Sequence, residues 1–139
     1  MSRTGFDRRD LLALAAGGAL GAGLRWAIAE LTPDDAWFPS GTLMANVLGC
    51  AVLGAVVALR RQHPDRGRLW LAAGTGFCGS LTTFSTFAVE LAGFLGAPGP
   101  FETSSPARAL LYLTASVAAG ATAFLATRAN VRTAGTGRR

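Results

Sequence analysis

Four apolar stretches divide the chain. The first runs from Leu11 to Leu31 and is interrupted by Arg25 and Glu30; the second, Gly41 to Leu59, carries no charge. The third is uncharged from Leu69 to Val89 and, past Glu90, reaches residue 95; the fourth, Ala109 to Thr127, is again uncharged. About 20 helical residues cross a hydrocarbon core about 30 Å thick. The pattern therefore predicts membrane-crossing helices at about 11–31, 41–59, 69–95 and 109–127. The connections are short, so the fold expected is all-α and integral to the membrane, one four-span domain over residues 1–139.

Composition supports this. Half of the residues are hydrophobic and 15% are charged, against about 25% in an ordinary soluble domain. Mean hydropathy is +0.36. The net charge of +5 would raise nucleic-acid binding in a soluble protein. Here the arginines sit between apolar runs, where they act as topology signals, and no nucleic-acid partner is expected. All 13 basic residues are arginine.

Those arginines are distributed unevenly. Arg3, Arg8 and Arg9 precede the first span, Arg60, Arg61, Arg66 and Arg68 lie between the second and third, and Arg128, Arg132, Arg138 and Arg139 follow the fourth. With four spans these eleven share one side. The opposite connections, Thr32–Ser40 and Gly96–Ala107, hold no arginine and carry Asp34, Asp35 and Glu102. Arg25 lies within the first span and Arg108 at the start of the fourth. Positively charged loops stay cytoplasmic, which predicts a multi-pass membrane protein with both termini in the cytoplasm. An export signal is the rival reading of Arg8-Arg9-Asp10-Leu11-Leu12 with Ala27-Ile28-Ala29. Cleavage there would leave three spans and no soluble product.

The candidate chemistry is polar but almost uncharged. Asn46 lies in the second span. Its neutral amide could donate to an anion without trapping it, or hold two helices together. The string from Gly74 to Phe87 packs three glycines and six hydroxyl residues into fourteen positions, a poor continuous helix. A break near Gly79–Thr82 is expected, against the alternative of an unbroken helix softened by Ser and Thr. Carbonyls freed by a break must be satisfied by protein or a cavity and are ready ligands for a hard cation such as Na⁺. Phe84 and Phe87, three apart, share a helix face and would either offer positive ring edges to an anion or serve as packing or lipid contacts. Tyr112 and Ser116 align on one face of the fourth span, with Gly120 a further step along and Thr114 on the other side. Gly17 and Gly21 form a G-x-x-x-G pair that lets helices approach closely, against the alternative that it reflects only the abundance of Gly and Ala in the chain.

Several functions are disfavoured. No span has Asp, Glu or His near its centre, as a proton-coupled exporter needs; Glu90 lies towards the end of the third. There is no phosphate-binding Gly-Lys loop and no nucleophile–histidine set. Cys50 and Cys78 have no metal or redox spacing, and His63, the single histidine, lies in an arginine-rich loop. An enzyme is not expected.

Gly17-Gly18-Ala19-Leu20-Gly21-Ala22 with Arg25, Gly41-Thr42-Leu43 with Asn46, and above all Gly76-Phe77-Cys78-Gly79 with Thr82-Thr83-Phe84-Ser85-Thr86-Phe87 resemble the bacterial Fluc (CrcB) fluoride channels. The resemblance runs from about Leu12 to Leu125. It implies a four-helix subunit whose third helix is broken, and an antiparallel dimer with two fluoride pores. It assigns Asn46, Phe84 and Phe87 to the pore, with Ser85 and Thr86 of the same string, and Tyr112 and Ser116 to a polar track on the fourth helix. Gly79 and Thr82 fall where backbone carbonyls hold a structural Na⁺ that is not transported. Arg25 and Glu90 match charged positions near the pore ends. Ser80 stands where a second glycine is common, and Gly120 where a hydroxyl is common.

The function implied is passive export of fluoride, limiting its toxicity in the cytoplasm. Small, strongly hydrated fluoride needs several donors and no fixed cation that would hold it; amide, hydroxyl and ring edges meet both conditions. The competing readings are a small four-span multidrug or cation exporter, which lacks its carboxylate here, and a pore-dead assembly subunit, which would have lost Asn46 or a phenylalanine. The arginine asymmetry predicts that every copy inserts one way. An antiparallel pair would then need an oppositely oriented homologue, with self-pairing as the alternative.

Overall fold

The computed structural model describes residues 7–32, 37–98 and 104–136, and every regular element among them is helical. Arg3, Asp34, Asp35, Glu102, Arg138 and Arg139 lie outside the described residues.

Helix α1, Arg8–Leu31, opens on a reciprocal cap: Asp10 N–H donates to Asp7 Oδ1 at 2.8 Å and Asp7 N–H to Asp10 Oδ2 at 3.1 Å. This satisfies two of the donors that a helix start leaves free. Arg68 grips both carboxylates, at 2.8 Å to Asp7 and 3.0 Å to Asp10. The Asp10 backbone N–H and the Arg68 guanidinium together hold the Asp7 carboxyl below the usual aspartate range. Helix α2, Ser40–Gln62, ends on Arg60 and Arg61, cations that suit the negative end of a helix. Like α1 and α6, it runs past its apolar stretch into the flanking arginines.

The third apolar stretch is divided. It comprises α3, Gly67–Trp70, a π-helical segment, Leu71–Cys78, and α4, Gly79–Leu81. Thr82 and Thr83 follow in extended conformation (φ/ψ −78°/151° and −139°/125°), and α5, Phe84–Phe94, resumes the helix. Helix α6, Pro106–Thr136, starts on a proline, which suits a first helical position. Among the described residues three helices are long and apolar enough to cross a membrane: Arg8–Leu31, Ser40–Gln62 and Pro106–Ala134. Large apolar side chains such as Leu12, Leu20, Trp26 and Val117 face outward. The chain is an all-α, multi-pass membrane protein.

Glycines set the packing. The Gly17 and Gly21 faces of α1 lie directly on the Ala72 and Phe77 carbonyls, and a Cβ built on Gly76 would stand 2.6 Å from the Leu14 carbonyl oxygen. The α1–π-segment contact is thus backbone on backbone, as the G-x-x-x-G pair predicts. In the α2–α6 contact Gly54 lies on the Phe124 carbonyl and Gly120 against Cys50 Sγ. Two polar contacts gather helix ends: Arg68 joins the start of α3 to that of α1, and Gln62 Nε2 donates to the Val131 carbonyl of α6 at 3.4 Å. Arg8, Arg9, Arg60, Arg61, Arg66, Arg68, Arg128 and Arg132 therefore belong to one end of the bundle.

Alanine at Gly17 or Gly21 is expected to lower stability by about 1–3 kcal/mol, since backbone must move to admit the methyl. Gly23, with nothing within 4 Å of an added Cβ, should tolerate alanine and gain up to about 1 kcal/mol of helix propensity. Unfolding of the purified variants in detergent measures both.

Candidate ion-binding site

The site is built where α4 gives way to α5. Asn46, on α2, faces Thr83: Thr83 N–H donates to Asn46 Oδ1 at 2.8 Å, and Asn46 Nδ2 donates to the Thr83 carbonyl at 3.1 Å. One amide thereby satisfies both backbone groups of an extended residue in an apolar setting, where neither could be left bare. Thr82 turns back on the preceding turn, its N–H and Oγ1 both donating to the Cys78 carbonyl at 3.0 and 2.9 Å. Its methyl is seated against Gly49, one turn along α2 from Asn46.

Thr83 also caps α5. Its buried Oγ1 accepts from Thr86 N–H at 3.2 Å and lies 3.1 Å from Thr86 Oγ1 and 3.3 Å from Ser85 Oγ. The N–H groups of Phe84 and Ser85 meet no acceptor among the described residues. They sit at the positive end of α5, which favours an anion. Ser85 and Thr86 are exposed, and Phe84 is 80% exposed.

Along α5 a ring series leads away from the break. Phe84 and Phe87 have centroids 6.2 Å apart, and Phe87 lies 5.0 Å from Tyr112 of α6. Tyr112 is fully buried, with Phe38 edge-on at 5.4 Å and Phe94 at 6.1 Å. Its hydroxyl donates to Glu90 Oε2 at 2.6 Å, and Thr42 Oγ1 donates to Glu90 Oε1 at 2.7 Å. Glu90 is thus held from α2 and α6 together.

The remaining predicted residues fall as follows. Ser116 Oγ is buried with no hydrogen-bond partner among the described residues, so its donor is available; Thr114 is occupied with its own helix, bonding the Leu110 carbonyl at 2.8 Å. Gly79 is exposed, and a Cβ there would meet nothing. Among the described residues no donor reaches the Gly79 or Thr82 carbonyl, and no three His, Cys, Asp or Glu side chains gather as a metal site. Backbone carbonyl oxygen is a ligand type that suits a hard cation. Arg25 is exposed on α1 with no polar contact to a described residue. Ser80 Oγ lies 3.3 Å from where a Gly18 Cβ would stand. Arg108 lies over the Trp37 ring at 5.8 Å.

A family model described as "CrcB-like protein, Camphor Resistance (CrcB)" matches residues 12–128. The chain belongs to the CrcB family. A Methanopyrus kandleri protein named "Fluoride-specific ion channel FluC" is 43% identical over 122 residues, covering 84% of this chain and 85% of that one. Relatives of the same name from Mannheimia succiniciproducens and Pseudomonas aeruginosa are 47% identical over 85 residues and 46% identical over 89 residues. They cover 60% and 63% of this chain, and 67% and 70% of their own lengths.

Sequence reasoning missed Thr42 and Thr83 as working residues of this CrcB-family chain. Thr42 stands four residues before Asn46, a spacing that puts both on one helix face, and this signal was there to be read. Thr83 looked like one hydroxyl among six; only its pairing with Asn46 singles it out.

Replacing Tyr112 with phenylalanine keeps the ring packing but leaves Glu90 one donor short. Stability is expected to fall by about 1–3 kcal/mol, the cost of an unsatisfied buried polar group. Thermal unfolding of Tyr112→Phe against wild type in the same detergent measures it.

Proposed function

We propose that this chain is a subunit of a fluoride-specific channel that lets fluoride leave the cytoplasm passively. The observation that carries the reading is the likeness, over 84% of the chain, to a protein named as a fluoride channel. The geometry supports it. The exposed N-terminus of α5 offers free N–H groups, and Ser85, Thr86 and Ser116 add hydroxyls. Phe84 and Phe87 add ring edges, and Asn46 Nδ2 keeps a second hydrogen beyond the one given to Thr83. These donors could replace fluoride's water without a fixed cation to hold the ion, as conduction requires. In this reading Asn46, Phe84, Phe87, Ser85, Thr86, Tyr112 and Ser116 line the path. Glu90 and Arg25 stand towards its ends.

The third apolar segment is taken as the fourth crossing of the membrane, broken at Thr82–Thr83 within the bilayer. Gly79 and Thr82 carbonyls would hold a Na⁺ that is retained rather than transported; the ion would neutralise the negative end of the α4 turn. Gly79, Ser85 and Thr86 are exposed polar positions that lipid cannot satisfy. A second subunit would cover them, which favours a dimer, antiparallel in the family resemblance. The arginine-rich end is placed in the cytoplasm of the bacterial cell membrane. That bias favours pairing with an oppositely oriented homologue over self-pairing.

Protein reconstituted in liposomes, with its homologue where one is needed, is expected to release loaded fluoride and retain chloride; equal efflux of the two would overturn the reading. Phe84→Ile and Phe87→Ile should each slow fluoride release by about tenfold, the equivalent of losing about 1.4 kcal/mol of ring-edge contact in the path.

C-terminal topology reporters test the pairing. The chain expressed alone is expected to report only the cytoplasm. A comparable periplasmic signal, with fluoride efflux from the lone protein, would make it a dual-topology homodimer.

A further inference from the structure

In an unbroken helix the Gly79 carbonyl would accept from Thr83 N–H, and the Thr82 carbonyl from Thr86 N–H. Side chains take both donors away. Thr83 N–H goes to Asn46 Oδ1 at 2.8 Å, and Thr86 N–H goes to Thr83 Oγ1 at 3.2 Å. These are the donors that would otherwise close over the two carbonyls assigned to the cation, and nothing else described replaces them. The diversion is anchored from a second helix. Asn46 Nδ2 returns a bond to the Thr83 carbonyl at 3.1 Å, so the amide grips Thr83 as a neighbouring strand would. Gly49, three residues along α2, makes the seat for the Thr82 methyl. Thr82 cannot refill the gap, because its N–H and hydroxyl are both spent on Cys78.

We propose that Asn46 and Thr83 are positioning residues for the cation site: by capturing the Thr83 and Thr86 amides they keep the Gly79 and Thr82 carbonyls open. This rests on the cation reading given above and adds a role for Asn46 apart from contact with the permeating anion. The distinction is physical. A group that only contacts fluoride affects flux; a group that holds carbonyls open affects how tightly Na⁺ is bound, with no fluoride present.

Gly79-Ser80 is the single Gly-Ser pair in the chain and Thr82-Thr83 the single Thr-Thr pair. Carbonyl-¹³C glycine combined with ¹⁵N serine therefore marks the Gly79 carbonyl alone in an NMR spectrum. The full chain in lipid nanodiscs, with its homologue where needed, is titrated with NaCl against N-methylglucamine chloride in fluoride-free buffer. The wild-type Gly79 signal is expected to move with Na⁺. In Asn46→Leu the midpoint should rise at least about tenfold, as expected for loss of one or two net hydrogen bonds holding the site. Thr83→Val should raise it similarly through the Thr82 carbonyl, and Thr83→Ser, which keeps the hydroxyl, should restore it. The valine–serine pair decides the matter if Asn46→Leu does not fold.

A Na⁺ response that keeps its wild-type midpoint in Asn46→Leu and Thr83→Val overturns the positioning role and leaves the cation reading standing. Lost fluoride flux with an unchanged midpoint likewise overturns the positioning role, making Asn46 a pore contact only. A wild-type Gly79 signal that ignores Na⁺ overturns the cation reading, and the positioning role with it.

Discussion

A backbone that leaves its helix inside an apolar layer must find other partners for its N–H and C=O groups. At Thr82–Thr83 the chain does leave its helix, and the rest of the site is arranged around that fact. Asn46 supplies both partners for Thr83, and Thr83 in turn supplies the cap for α5. Local composition weakens the helix here, and α2 supplies the partners that the opened backbone needs. The break is therefore not local to its own segment. It is a property of two helices, joined by one amide and by a glycine seat at Gly49.

The second organising feature is close backbone approach. Where lipid is as apolar as leucine, burying apolar surface does not drive helices together, and contact depends on fit. Gly17, Gly21 and Gly76 bring α1 onto the π-helical segment, and Gly54 and Gly120 bring α2 onto α6. The large side chains are consequently free to face outward. The break is held between these two glycine contacts, with α1 packed on the segment leading to it and α2 clamped to the residues within it. The Glu90 network is the polar counterpart further along α5: one carboxylate shared by Thr42 and Tyr112 ties the second half of the third segment to both α2 and α6.

Much of this was legible in the chain. Apolar run length predicted the three long apolar helices, because a membrane imposes a minimum span on any helix that crosses it. Arginine placement separated the two ends, because charge is costly in hydrocarbon and gathers in the flanking loops. Gly17 and Gly21 offered a helix contact by their spacing, in a chain where small residues are abundant throughout. The Gly- and Thr-rich string around Gly79 marked where helical propensity fails, and its residues carried the family resemblance.

Pairwise partnership was not legible. Nothing in the composition of the second span distinguishes an Asn46 that donates to an ion from one that binds a neighbouring backbone, since both need the same amide at the same depth. The π-helical ladder from Leu71 to Cys78, which packs on α1, had no signal in the sequence pattern. The capture of Glu90 by Thr42 and Tyr112, and the diversion of the Thr83 amide to Asn46, join residues far apart in the chain. The sequence by itself determined which segments are apolar, which end carries the arginines and where the helix is weak, because each follows from local composition. Tertiary structure decided which donor meets which acceptor, because a hydrogen bond is made by distance and direction in space.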